Sequence, residues 1–171
     1  KTGLIALIEG KNPDKCCIAL RADIAALPID EQNQCDYKSS KLGVMHACGH
    51  DVHSTCLLGA AQYLVSIKDQ FEGSIKLIFQ PSEEKQPSGA EAMIAAGALE
   101  QPKVKSIIGL HVTPELQVGK IGYKKGQFMA SADEIYLTIQ GKGGHAASPH
   151  LCIDPIIISA QILVALQQLV S

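Results

Sequence analysis

The sequence predicts an α/β fold, with helices on the faces of a mostly parallel sheet over residues 1–127, followed by the start of a smaller α+β unit over 128–171. Three observations carry this. Strand-like apolar runs alternate with stretches of helical period as far as residue 112, the pattern that a helix-covered sheet produces. The chain then turns Gly-rich, and one alternating run and one helix follow. With 171 residues, 46% of them hydrophobic, there is material for one substantial core and part of another.

In order, "GLIALIEG" reads as a strand closed by a turn at "KNPDK". "CCIALRAD" is a second apolar run that ends on charges, and residues 30–44 are polar and loop-like. "STCLLGAAQYLVSI" places Cys56, Leu57, Ala60, Ala61, Leu64 and Val65 at helical spacing, with Asp51 or Ser54 as the expected cap. "SIKLIFQ" is a short strand running into the loop "PSEEKQPSG"; "GAEAMIAAGAL" is helical with Gly97 near its end; "VKSIIGLHV" is a strand ending at His111. After the Gly-rich "GKIGYKKGQFMASA", the run "DEIYLTIQG" alternates polar and apolar residues as a half-buried strand does. "KGGHAASPH" is a loop, and "IDPIIISAQILVALQQLV" is a helix with Pro155 suited to its first turn.

Composition removes several function classes. A net charge of −2, with charged residues at 19%, gives no footprint for nucleic acid or an anionic membrane surface. The longest apolar run is broken by Asp154, Pro155 and glutamines, which argues against a membrane span. The start "KTGLIALIEG" lacks the order of a signal peptide. Six cysteines at irregular spacing (Cys16, Cys17, Cys35, Cys48, Cys56, Cys152) are expected to be reduced thiols of a cytoplasmic protein, most of them small buried apolar residues. Lys1 leads straight into a strand and Ser171 falls inside a helical pattern, so the chain is expected to be a piece of something longer.

Four polar clusters fall at the ends of apolar runs: Arg21 to Asp23, Cys48 to Asp51, Glu83 with Glu84, and Leu110 with His111. Ligands bind beyond the carboxyl ends of strands in open α/β sheets, so convergence on one site is expected. Cys, His and carboxylate together suit Zn²⁺ and also Mn²⁺, Co²⁺ or Ni²⁺. Cys48 and His50 are close enough to share a site. Adjacent glutamates in an extended segment diverge, so one is free to bind metal while the other faces a water, the separation of ligand and general base that metal-assisted hydrolysis needs. Each signal has a plainer reading. A lone C-x-H is weak, and a Glu pair is usually a solvated loop. His111 is compatible with a core-edge histidine, Asp23 with a cap, His145 with loop filler, and Cys48 with a nucleophile that lacks an evident triad. Their joint occurrence at successive run ends favours the metal site.

The stretches "ALRADIAALPI", "GVMHACGHDVH", "LIFQPSEE", "SGAEAMIAAGAL", "IIGLHVTPELQVGKIGYKKGQFMASAD" and "GKGGHAASPH" run in order over nearly the whole chain. In these the sequence resembles the M20 metallopeptidase family, in its amidohydrolase branch of hippurate hydrolases, N-acyl-amino-acid amidohydrolases, auxin-conjugate hydrolases and N-acetyldiaminopimelate deacetylase. The resemblance implies a zinc-peptidase-like catalytic domain over 1–127 and the first part of a lid and dimerisation domain over 128–171. It implies two divalent ions per site (Zn, Mn, Ni or Co), with Cys48, His50, Glu84 and His111 as ligands. Glu83 would be the general base and Asp23 a catalytic-site carboxylate that orients a ligand or metal. His145 of the lid would hold the substrate carbonyl or carboxylate, often across a dimer. His46, His53 and His150 lie in matched motifs without a place in that set. The implied reaction is hydrolysis of the amide of a small N-acyl amino acid by a homo-oligomer, a dimer through the lid.

The sequence departs from the family pattern at Ala25, where a second Asp is usual, at Val52, and at Lys85, where Gly is usual. Family members run to roughly twice this length, and the last histidine ligand is expected beyond Ser171. Two other readings therefore stand beside the amidohydrolase: a dipeptidase or carboxypeptidase of the same family, and an inactive metal-binding fragment or pseudo-enzyme.

Overall fold

The structure is a computed structural model that describes residues 2–169. It divides into two units, Lys1–Ile121 and Gly122–Ser171. In the first, β1 (Leu4–Glu9), β2 (Cys17–Asp23), β3 (Ser74–Gln80) and β4 (Val104–Gly109) form one sheet in the order β1-β3-β2-β4. β2 runs parallel to both β3 and β4, and β1 is antiparallel to β3. Helix α1 (His50–Ser66) and the short α2 (Gly89–Ala95) complete this unit. The expected α/β class with a mostly parallel sheet is what the chain adopts.

The register explains the core. Leu20 pairs with Leu77 and Ala22 with Phe79, and paired residues of neighbouring strands share a face. Those side chains, with Ile8, meet Leu57, Ala61 and Leu64 of α1. Of the residues expected on the inner face of α1, Cys56 and Val65 are instead exposed, because the buried stripe runs through His50, His53 and Leu57. The other sheet face carries the buried Lys76. Its ammonium donates to the carbonyls of Ala98 (3.1 Å), Glu100 (2.7 Å) and Pro102 (3.0 Å), so three backbone acceptors satisfy one buried cation and pin the segment after α2 to the sheet.

All six cysteines are free thiols. Only Cys17 is fully buried and Cys56 is exposed, so the expected burial of most of them is not found.

In the second unit, α3 spans Pro155–Leu166, with Pro155 in its first turn and the Asp154 carboxylate accepting from the Ile156 N–H at 2.8 Å. The run around residues 135–139 does not form the expected strand. Ile135 and Leu137 are 79% and 61% exposed, and the pairing described in this unit is one bridge between Lys142 and Ile153. Alternation marks a face that needs burial, but a strand exists only when a neighbouring backbone completes its ladder. No helix among the described residues is long and apolar enough to cross a membrane.

Candidate metal centre

The parallel register sets β2, β3 and β4 level at their carboxyl ends. Asp23 pairs with Gln80 and Arg21 with Gly109, so Asp23, the Glu83–Glu84 turn and His111 leave the sheet side by side. The fourth contribution comes from the start of α1 and not from a strand end. Gly49 is its N-cap, at φ +77°, and neither Asp51 nor Ser54 caps it. Both lie within the helix, where the Ser54 hydroxyl sits 3.0 Å from the His50 carbonyl and 3.2 Å from that of Asp23. The helix thus begins one residue before Asp51 and takes His50 and His53 into its first turn, three apart and on one face. Glycine is required at 49 twice over: its φ is left-handed, and a Cβ there would stand 2.6 Å from Val112 Cγ2.

His50 is fully buried. Its Nδ1 lies 2.8 Å from the Ala25 carbonyl, which can only accept, so Nδ1 carries the proton and the neutral ring has its lone pair on Nε2. That Nε2 is the one buried side-chain polar atom without a hydrogen-bond partner among the described residues. Around it stand Asp23 Oδ2 at 3.7 Å, Glu84 Oε1 at 3.7 Å and Glu83 Oε2 at 3.9 Å. A buried, unpartnered imidazole nitrogen facing three carboxylates calls for a positive charge between them, a proton or a metal ion, and is what a ligand set presents. His111 uses Nδ1 likewise, donating to the Val112 carbonyl at 2.6 Å, which leaves Nε2 facing Cys48 Sγ at 3.4 Å. Tetrahedral zinc with ordinary Zn–S and Zn–N bonds separates its S and N ligands by about 3.5 Å, so the pair already stands at ligand spacing. The ligand atoms of Cys48, His50 and His111 lie within 4.8 Å of one another, as do those of His50, Glu83 and Glu84. These are two overlapping donor sets that share the single free Nε2 of His50, and the donors of each set fit a divalent ion.

The electrostatics agree. Burial, then a hydrogen bond with Glu84 and the charges of Glu84, Glu83 and Asp23, push the Cys48 thiol up. The thiol thus keeps its proton between Glu84 and His111 Nε2, where a cation would replace it. For Asp23, burial alone would raise the carboxyl, but the His53 hydrogen bond and the charge of Arg21 outweigh it, and the carboxyl is held below its usual range. Arg21 Nη1 donates to Asp23 Oδ2 at 2.8 Å, and Arg21 Nε donates to Gln80 at 2.9 Å.

Of the expected residues, the structure gathers Asp23, Cys48, His50, Glu83, Glu84 and His111. Glu83 and Glu84 do not diverge: both carboxylates approach the same His50 Nε2, because Ser82 just before them takes φ +50° and breaks the extended alternation. His145 belongs to the second unit, exposed, with Nδ1 accepting from the Ala147 N–H at 3.1 Å. His53 was not expected in the site. It is buried and bonded to Asp23, and the available signal was its spacing of three from His50, readable once the helix is known to begin at His50.

Residues 19–168 match the description Peptidase family M20/M25/M40. The chain belongs to this peptidase family. Over all 171 residues it is 48% identical to an N-acetyl-L-cysteine deacetylase of Bacillus subtilis, covering 40% of that protein. It is 44% identical over the same length to an N-acyl-L-amino acid amidohydrolase of Geobacillus stearothermophilus, covering 45% of it. The chain thus spans less than half the length of these M20 relatives. A crystal structure from Bacillus subtilis, described as a dinuclear metal binding peptidase from the M20 family, superposes with a TM-score of 0.69 at 44% identity, covering 74% of this chain and 34% of that one.

Proposed function

We propose that the intact protein is a metal-dependent amidohydrolase that cleaves the amide of a small N-acyl amino acid. The observation that carries the reading is the buried, unpartnered His50 Nε2 facing Asp23, Glu83 and Glu84, beside the Cys48–His111 pair. The names of the M20 relatives support the substrate class.

Cys48, His50, Glu84 and His111 would hold two divalent ions of the Zn, Mn, Ni or Co type. Such ions would acidify a water and polarise the amide carbonyl. Glu83 is the more exposed of the two glutamates, so it is free to take a proton from the attacking water at its carboxylate and return it to the leaving amine. Asp23, fixed by Arg21 and His53, keeps its Oδ2 turned toward His50. His145, on the unit we take to begin the lid and dimerisation domain near residue 128, would bind the substrate carbonyl or carboxylate. A cytoplasmic, dimeric enzyme fits this reading.

The test is Glu83→Ala in the intact protein. Loss of a general base lowers kcat by about 10²–10⁴-fold. Hydrolysis of N-acetyl amino acids should fall by that much while metal content stays at the wild-type level; full activity in the variant refutes the assignment.

A further inference from the structure

We infer that His53 is a positioning residue for both sides of the metal centre, holding the His111 side through the N–H of Val112 and the other side through the Asp23 carboxylate. The inference rests on the metal reading above and concerns a histidine that takes no place among the ligands.

Both ring nitrogens of His53 are used. Nε2 accepts from the Val112 N–H at 2.9 Å, so the lone pair is on Nε2 and the proton on Nδ1. Nδ1 then donates to Asp23 Oδ1 at 2.5 Å. With both nitrogens engaged and the ring buried, His53 cannot be a ligand, although its ring atoms lie close enough to Asp23 and His50 to suggest one. Val112 is held on three sides: its N–H by His53, its carbonyl by His111 Nδ1, and its side chain against Gly49. The result is one directed chain: Asp23 carboxylate, His53 ring, Val112 peptide groups, His111 ring. It ends on the His111 lone pair that faces Cys48. His53 and His111 also pack edge to face, ring centres 4.5 Å apart.

The consequence is specific. His111 follows β4 on an exposed stretch, and a ligand there is only as well placed as its backbone. Cutting the Val112 end of the chain should loosen the Cys48–His111 subsite. Cutting the Asp23 end should loosen the side that holds Asp23 and Glu84. Two variants separate these. His53→Asn keeps a donor at the Nδ1 position and loses the acceptor at Nε2; His53→Gln keeps the acceptor and loses the donor.

The experiment is Co²⁺ titration of the intact protein, followed by the thiolate-to-cobalt charge-transfer band of Cys48 and by calorimetry for total sites. Outer-shell losses typically cost 10–100-fold in metal affinity. His53→Asn should weaken the thiolate-band step by about that factor, with His53→Gln near wild type at that step but weakened at the other. Equal weakening of both steps in both variants means a merely structural role and overturns the inference, as does a thiolate-band step unmoved in His53→Asn. A wild-type protein that gives no thiolate band refutes the metal reading itself, and this inference with it. A measurement that needs no variant is long-range ¹H–¹⁵N NMR of the wild-type histidines. His53 is expected as the Nδ1–H tautomer, and an Nε2–H tautomer would refute the chain of bonds.

Discussion

Replacing Gly49 by alanine tests how the first turn of α1 is built against the exit of β4. Two costs apply. A non-glycine residue at φ +77° pays about 1–2 kcal/mol for the left-handed conformation. The new Cβ also stands 2.6 Å from Val112 Cγ2, and because Val112 is stiff at χ1 the backbone has to move, adding about 1–3 kcal/mol. Together these destabilise by about 2–5 kcal/mol, or a Tm fall of about 4–20 °C at about 2–4 °C per kcal/mol for a chain of this size. Gly97 supplies the control. It has φ +85° but nothing within 4 Å of a Cβ, so Gly97→Ala carries the conformational cost alone, about 2–8 °C. Thermal unfolding of both variants, followed by circular dichroism, measures the difference. Gly49→Ala in a Val112→Ala background should fall back toward the Gly97→Ala value. If Gly49→Ala costs no more than Gly97→Ala, the packing of α1 against Val112 is not as the structure describes.

Lys76→Met keeps the volume of the buried side chain and removes the donors to Ala98, Glu100 and Pro102. Three lost bonds, offset by not burying an ammonium, should destabilise by about 2–4 kcal/mol and raise protease sensitivity around residues 96–103; an unchanged Tm and digestion pattern would show that the three bonds contribute nothing. Glu31 is held below its ordinary value first by the Ser39 N–H and then by Asn33. Its folded value is the depressed one, so its support of the 31–39 loop is present above the unfolded carboxyl range and is lost as the pH falls through the folded value. The Ser39 amide shift, followed by NMR, should titrate below the normal range for glutamate, and Glu31→Gln should abolish that titration.

Much of the site was legible because it depends on strand ends. Asp23, Glu84 and His111 each follow an apolar run, and parallel register makes such ends converge whatever lies between them in sequence. Cys48 and His50 were legible as a pair of metal-ligating types. The role of His53 was not, because it depends on an acceptor and a donor 30 and 59 residues away. The direction of Glu83 was misread because the residue before it leaves the extended region, a backbone event that no side-chain pattern signals.

The sequence by itself determined the periods: the helical stripe of α1, the apolar runs of β2 and β3, and the Asp154–Pro155 start of α3. These are local preferences, carried by residues within a few positions of one another. Tertiary structure decided the rest. It set which nitrogen of His50 and of His111 is free, through the carbonyls of Ala25 and Val112. It brought both glutamates to one imidazole, and it left residues 135–139 without the strand their alternation predicts. The physical reason is the same each time. A lone pair, a ladder bond or a buried face is defined by its partner, and the partner is supplied by distant chain.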